Sequence, residues 1–366
     1  MTSDSNDIWH MRSALSLART GLGRTWPNPT VGCVIVKEGI VLARARTADG
    51  GRPHAETIAL NKAGEQAKGA TAYVTLEPCS HQGKTGPCSA ALIESGVKRV
   101  VIACVDSDER VSGEGIRMLE QAGIQVDVGV CEQEARDLNV GFFLNREGGR
   151  PFITLKTAST LDSKMVSESG KREKITGKEA HHFAQVLRAQ HDAILIGVNT
   201  VLADNPSLTT RLDGVHHSII RIVLDTHLKL KGDEKLFDSI EENPVFILTT
   251  KNMNEAKTLH EKGAEIVQVD ANREGQIDLH QVMKALAEKG LTRILVDGGA
   301  QVVTSFLKED LCDEFLWFRS GLLMGSQAYN SIQEFPLTNL NKLIKLNFEK
   351  RRILGDDVLD IYTKAR

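Results

Sequence analysis

Apolar residues recur at helical spacing over residues 8–22 (Ile8, Met11, Leu15, Leu22), with Ser5, Asn6 or Asp7 available as N-cap. This predicts an opening amphipathic helix. A Pro-Asn-Pro turn at 27–29 leads into an apolar run at 31–36, read as a buried strand, and a second short run at 40–43. The pattern then alternates: helix 55–67, strand 71–76, helix 88–95, strand 98–105, helix 114–122, strand 124–130 and helix 132–144. A hairpin followed by such alternation predicts a mixed sheet sandwiched by helices. Residues 145–151 (Asn-Arg-Glu-Gly-Gly-Arg-Pro) read as a linker, giving domains at 1–146 and 151–366. Beyond it, strands are expected near 152–158, 193–197, 219–224, 244–249, 264–268 and 293–297. Helices are expected near 178–190, 254–262, 279–289 and 300–309. Strand-like segments at 313–319, 343–349 and 357–363 close a second α/β domain and could be antiparallel.

The length of 366 residues suits two domains. Residues 1–146 carry 16 basic against 17 acidic side chains, and the remainder 29 against 31, so neither half has the basic footprint of a duplex-binding protein. The longest apolar runs (31–36, 100–105, 193–198) fall far short of the ~20 residues a bilayer span requires. The N-terminus is acidic and lacks a basic region followed by an apolar core, so a cytoplasmic protein is expected. Five of the six cysteines lie at or before position 131. They read as reduced thiols or metal ligands, not a disulfide scaffold.

His54-Ala-Glu56, Pro78-Cys79 and Pro87-Cys88 form the strongest constellation. A catalytic zinc site takes three protein ligands and leaves one position for water, and His54, Cys79 and Cys88 meet that count. Glu56, at the start of a helix, is placed to take a proton from water and deliver it to a departing amine. The cysteines are expected to open the next helix, whose N-terminal dipole favours thiolates. This is the H-x-E…P-C-x-x-C zinc-deaminase pattern, with eight residues between the cysteines instead of two. The alternatives are two unrelated buried cysteines or a structural zinc clip, for which His81 is the nearest fourth ligand. Glu56 would have no purpose there.

The segments 27–36 (Pro-Asn-Pro-Thr-Val-Gly-Cys-Val-Ile-Val) and 75–88 (Thr-Leu-Glu-Pro-Cys-Ser-His-Gln-Gly-Lys-Thr-Gly-Pro-Cys) resemble the bifunctional deaminase–reductases of riboflavin biosynthesis. The resemblance implies a cytidine-deaminase-like α/β/α sandwich in which Asn28, His81 and Lys84 bind the substrate's pyrimidine and ribose phosphate. An ammonium such as Lys84 suits a phosphate.

In the second half, residues 295–300 (Leu-Val-Asp-Gly-Gly-Ala) read as a strand ending in a Gly-Gly turn before a helix, able to cradle phosphate or to serve as a plain tight turn. They do not form GxGxxG, so a Rossmann fold is not supported. Residues 200–211 read on their own as a surface loop with a Pro turn. Together with 156–162 and 188–190, these segments occur in the order found in the same family's reductase domain, which is similar to dihydrofolate reductase and uses NADPH. The resemblance implies that Ala158, Lys174, Thr200, Asp204, Thr226 and Gly299 contact NADPH. It places Arg172, Arg188, Leu208, Arg211 and Asp297 on the substrate, the arginines being suited to its phosphate.

The chain departs from the family pattern at Ser163, Arg172, Lys174 and Asp297, where glycine, serine, tryptophan and glutamate are usual.

Together these readings predict a Zn2+- and NADPH-dependent cytoplasmic enzyme of riboflavin biosynthesis. It deaminates 2,5-diamino-6-(5-phosphoribosylamino)pyrimidin-4-one and then reduces the ribosyl to a ribityl chain. The resemblance also implies a homo-oligomer, and the charge balance and short apolar runs imply no nucleic-acid or membrane partner. The alternatives are a deaminase with an inactive or differently specific reductase-like domain, a nucleic-acid deaminase, and a non-enzymatic zinc protein. His181-His182 and His216-His217 are read as surface residues, and Cys33, Cys104 and Cys131 as core thiols.

Overall fold

Met11, Ala14, Leu15 and Ala18 line the buried face of α1 (Ser5–Arg19), following the three- and four-residue spacing of the sequence. The computed structural model describes residues 5–81, 86–107, 112–166, 174–214, 218–334 and 344–364. The chain divides into two units, Met1–Arg150 and Pro151–Arg366.

In the first unit, β1 (Gly32–Lys37) and β2 (Ile40–Arg46) form the expected hairpin, followed by α2 (Ala55–Ala63), β3 (Thr71–Val74), α3 (Cys88–Glu94), β4 (Arg99–Ile102), α4 (Glu114–Gln121), β5 (Gln125–Val128), α5 (Glu132–Leu138) and α6 (Val140–Gly148). The sheet order is β2-β1-β3-β4-β5. The β1 pairings are antiparallel, whereas β3, β4 and β5 run parallel. Val34, Ile35, Val74, Val100, Val101 and Ile102 are fully buried in its core. The sheet is mixed, as the alternation implied.

The single helix expected at 132–144 is broken at Asn139. Its side chain accepts from the Thr30 amide at 2.9 Å and donates to the Thr30 carbonyl at 3.0 Å, a partner 109 residues away. Residues 145–148, read as linker, belong to the last turn of α6, which ends at Gly149 in a left-handed conformation (φ 64°).

The second unit contains β6 (Phe152–Ser159), β7 (Lys164–Val166), α7 (Lys178–Ala189), β8 (Ala193–Gly197), α8 (Val198–Asp204), β9 (Ile220–Leu224), β10 (Val245–Thr249), α9 (Lys257–Glu261), β11 (Glu265–Gln268), α10 (Leu279–Glu288), β12 (Arg293–Val296), α11 (Ala300–Lys308), β13 (Glu314–Arg319), β14 (Tyr329–Asn330), β15 (Leu346–Leu354) and β16 (Asp357–Lys364). The large sheet has the order β11-β10-β9-β8-β12-β6-β13-β16-β15. Every strand from β11 to β13 is parallel to its neighbour, and all five residues of β8 are buried. Central parallel strands covered on both faces read as such continuous apolar runs.

The three closing strands pair antiparallel in the order β13-β16-β15, as their pattern allowed, and β13 also pairs parallel with β6 because α11 carries the chain across the sheet. The expected loop at 200–211 begins instead inside α8, and β7 pairs with β14 in a small separate sheet.

Candidate active sites

His54 caps α2 in extended geometry, and Glu56 follows as the second residue of the helix, only 3% exposed. Cys79 lies in the loop after β3, and Cys88 is the first residue of α3. The ligand atoms of His54, Cys79 and Cys88 all lie within 4.8 Å of one another. His54 Nδ1 is 3.3 Å from Cys88 Sγ and 3.7 Å from Cys79 Sγ.

Both cysteines were expected to open a helix, but only Cys88 does. Cys79 gains the helix end indirectly, because the Cys88 amide donates to its sulfur at 3.3 Å. A hydrogen bond from the Cys88 thiol, with help from His54 and that amide, lowers the Cys79 thiol to about 4 against the opposing effect of burial. The same bond, and then burial, raise the Cys88 thiol. The bond to Cys79 also raises His54. Burial lifts the Glu56 carboxyl to about 7.

These residues fit zinc. Two thiols and an imidazole nitrogen converge, and Glu56 Oε2 is buried beside them without a hydrogen-bond partner among the described residues. Three protein donors with a carboxyl at hand are what a catalytic zinc site uses. His81 is exposed and does not join the trio, which removes the fourth ligand proposed for a structural clip. Asn28 donates to the Gly51 carbonyl at 3.2 Å. Lys84 lies outside the described residues.

In the second unit the parallel strands bring five of the remaining predicted residues to one edge. Ala158 lies near the carboxyl end of β6, Thr200 in the helix after β8, Thr226 just past β9, and Asp297 and Gly299 just past β12. The order β9-β8-β12-β6 makes these ends neighbours, and ligands of open α/β sheets bind outside such carboxyl ends. A Cβ added at Gly197 or at Gly298 would come within 2.8 Å of Val302, so these two glycines let α11 seat against the edge. Gly299 caps α11, and Thr200 Oγ1 lies 3.4 Å from where a Gly299 side chain would begin. Asp204 ends α8, and the Thr226 carbonyl accepts from the Thr249 and Thr250 hydroxyls.

Arg188 is buried, donates to the Thr209 carbonyl at 2.8 Å and lies 3.6 Å from Asp297 Oδ2. Leu208 is buried at φ 58°, while the Arg211 side chain is exposed and its amide donates to Gln185 at 3.0 Å. Lys174 is exposed, and Arg172 lies outside the described residues. Two contributors were not singled out from sequence. Lys156, on β6, pairs with Asp297 at 2.9 Å. Arg221, fully buried on β9, donates to the Ser207 carbonyl at 3.1 Å and so holds the loop that carries Leu208. For Arg221, a cation inside the otherwise apolar β9 was the available signal.

Residues 4–104 match the cytidine and deoxycytidylate deaminase zinc-binding region, and residues 151–359 match the RibD C-terminal domain. Riboflavin biosynthesis protein RibD of Aquifex aeolicus is 42% identical over 97% of this chain and 98% of its own. The Escherichia coli protein of the same name is 38% identical over 96% and 98%. Among solved structures, Acinetobacter baumannii RibD (form 1) covers 99% of both chains at 33% identity with a TM-score of 0.89. The diaminohydroxyphosphoribosylaminopyrimidine deaminase/5-amino-6-(5-phosphoribosylamino)uracil reductase of Thermotoga maritima has 32% identity and a TM-score of 0.88, covering 98% of this chain and 99% of its own. The first unit is thus a cytidine-deaminase-like zinc domain and the second a dihydrofolate-reductase-like domain. The chain belongs to the RibD family of bifunctional riboflavin biosynthesis deaminase–reductases.

Proposed function

We propose that the first unit hydrolytically deaminates 2,5-diamino-6-(5-phosphoribosylamino)pyrimidin-4-one and that the second then reduces the ribosyl of the product to a ribityl chain. The observation that carries this reading is the buried Glu56 carboxyl beside the converging His54, Cys79 and Cys88 donors. Zinc held by those three side chains would supply a water acidified enough to react near neutral pH. Glu56 takes the proton of that water and passes it to the departing amine, so that oxygen replaces nitrogen on the ring carbon and ammonia leaves. Burial holds the Glu56 carboxyl at about 7, where it can both accept and donate. Asn28, His81 and Lys84 orient the pyrimidine and its ribose phosphate.

In the second unit, NADPH held beside the substrate would supply the hydride that reduces C1′ of the ring-opened ribose. Ala158, Lys174, Thr200, Asp204, Thr226 and Gly299 hold the cofactor along the carboxyl edge of the sheet. Arg172, Arg188, Leu208, Arg211 and Asp297 hold the substrate, with guanidinium groups on its phosphate. The step needs no covalent side chain, and orientation of the two reactants supplies most of the help.

The enzyme is read as cytoplasmic and as a homo-oligomer without a nucleic-acid partner. The near-neutral charge of each half supports the last point, and the family resemblance supports self-association. Among the described residues no helix is long and apolar enough to cross a membrane.

Mass spectrometry of the aminopyrimidine after incubation with zinc-loaded protein, with and without NADPH, tests the reading. Oxygen should replace one amino nitrogen in both cases, and two hydrogens should be gained only with NADPH. Amine exchange without hydrogen gain would contradict the reductase half, and an unchanged substrate would contradict both.

A further inference from the structure

Glu77 sits two residues before Cys79 and is 3% exposed. Its amide donates to the Cys104 carbonyl at 3.0 Å, which ties the end of β3 to the end of β4. Its carboxyl accepts only backbone N–H groups among the described residues. Gly115 donates to Oε1 at 3.0 Å and Ile116 at 3.3 Å, while Gly113 donates to Oε2 at 3.0 Å and Asp106 at 3.3 Å. Three of these amides belong to the entry and first turn of α4, which have no partner inside the helix.

The same turn presses on the backbone between Glu77 and Cys79. A Cβ at Gly115 would lie 2.1 Å from the Pro78 carbonyl oxygen, so α4 approaches there as closely as only glycine allows. On the far side of Cys79, its carbonyl accepts from the Ser89 amide at 3.2 Å and the Ser89 hydroxyl at 3.1 Å. Ser89 in turn touches Met118 of α4 at 3.5 Å. Helix α4 therefore backs the Pro78–Cys79 turn at three points without supplying a ligand.

We propose that Glu77 is a positioning residue of the metal centre: its carboxyl clamps α4 onto the Pro78–Cys79 turn and thereby sets the Cys79 sulfur. Outer groups that orient ligands commonly change metal affinity or activity 10–100-fold when altered. Glutamine keeps the size of Glu77 but turns an NH2 group toward amide donors, so at least one pair of N–H groups loses its acceptor. The inference rests on the zinc reading of the trio and is independent of the substrate assignment.

Zn2+ and Co2+ affinities of the full-length protein, measured by chelator competition, test it in wild type and Glu77→Gln. The variant should bind each metal about ten- to a hundredfold more weakly. Its Co2+ d–d bands should shift while NADPH-dependent reduction by the second unit stays at the wild-type rate. Affinities within about twofold and an unshifted Co2+ spectrum would overturn the proposal. Absence of metal uptake by the wild type would overturn the zinc reading and this proposal with it, a separate and recognisable result.

A measurement on the wild type stands if the variant does not fold. Coupling is reciprocal, so stripping zinc should lower hydrogen-exchange protection at Gly113, Gly115 and Ile116 more than at Val100 and Val101 of β4. Equal protection with and without zinc would contradict the clamp.

Discussion

The Lys156 ammonium lies 2.9 Å from one oxygen of Asp297, and the Arg188 guanidinium faces the other at 3.6 Å. All three side chains are mostly buried, so one carboxylate faces two cations where β12 ends. Cations held this way suit a phosphorylated substrate. Replacing Asp297 with Ala removes the group that holds Lys156 and Arg188 in place. The expected outcome is a loss of at least about tenfold in kcat/KM of reduction, about 1.4 kcal/mol of transition-state binding. Deamination should continue at the wild-type rate. Assaying the two half-reactions separately checks this, and a parallel loss in both would contradict it.

Ser163 occupies φ 62° in the turn after β6, where its amide donates to the Thr160 carbonyl at 3.0 Å. Thr160 and Lys164 are paired across the same turn, which makes Ser163 the left-handed residue that a bulged hairpin normally gives to glycine. An L-residue in this region costs roughly 1–2 kcal/mol. Ser163→Gly should therefore stabilise the second unit by about 1 kcal/mol, less the added chain entropy of glycine in the unfolded state. Denaturant unfolding followed by the fluorescence of Trp317 measures it. An unchanged or lower midpoint would contradict the strain.

His191 is 2% exposed, with Nδ1 2.6 Å from the Leu187 carbonyl and Nε2 3.0 Å from the Thr154 hydroxyl. Burial first, and then the nearby Arg293 charge, depress its pKa to about 3. The unfolded chain takes up this proton near pH 6.5 while the folded protein does not. The stability is therefore whole above about pH 6.5 and falls as the pH drops toward about 3, by at most about 1.4 kcal/mol per pH unit. His191→Gln should remove that limb between pH 6.5 and 5. Melting curves of both proteins across this range check it, and parallel profiles would contradict the account.

The parts of this protein legible from sequence are those that local chemistry dictates. His54-Ala-Glu56 with Cys79 and Cys88 could be assembled before any fold was known, because zinc dictates ligand type and number. The apolar runs of β1, β8 and β12 were equally plain, since strands buried on both faces carry few polar residues. What escaped depends on distant partners. The break at Asn139 is set by Thr30, 109 residues earlier, and nothing in the local periodicity marks it. The pairing of β13 with β6 depends on α11 crossing the sheet, and α8 was obscured by the Asn-Pro that follows it. Lys156 and Glu77 read as motif letters until the fold placed Asp297 and the first turn of α4 against them.

The central claim is that Glu56 moves protons at a zinc site and does not merely fill space beside it. Glu56→Gln preserves shape and leaves all three metal ligands in place, but glutamine has no carboxyl to carry the proton. Zinc content and deamination rate of the variant, measured on the same preparation, test the claim most directly. The expected result is one zinc per chain, deamination reduced at least about a hundredfold, within the range general acid–base groups supply, and reduction unaffected. Deamination at the wild-type rate with zinc retained would contradict it.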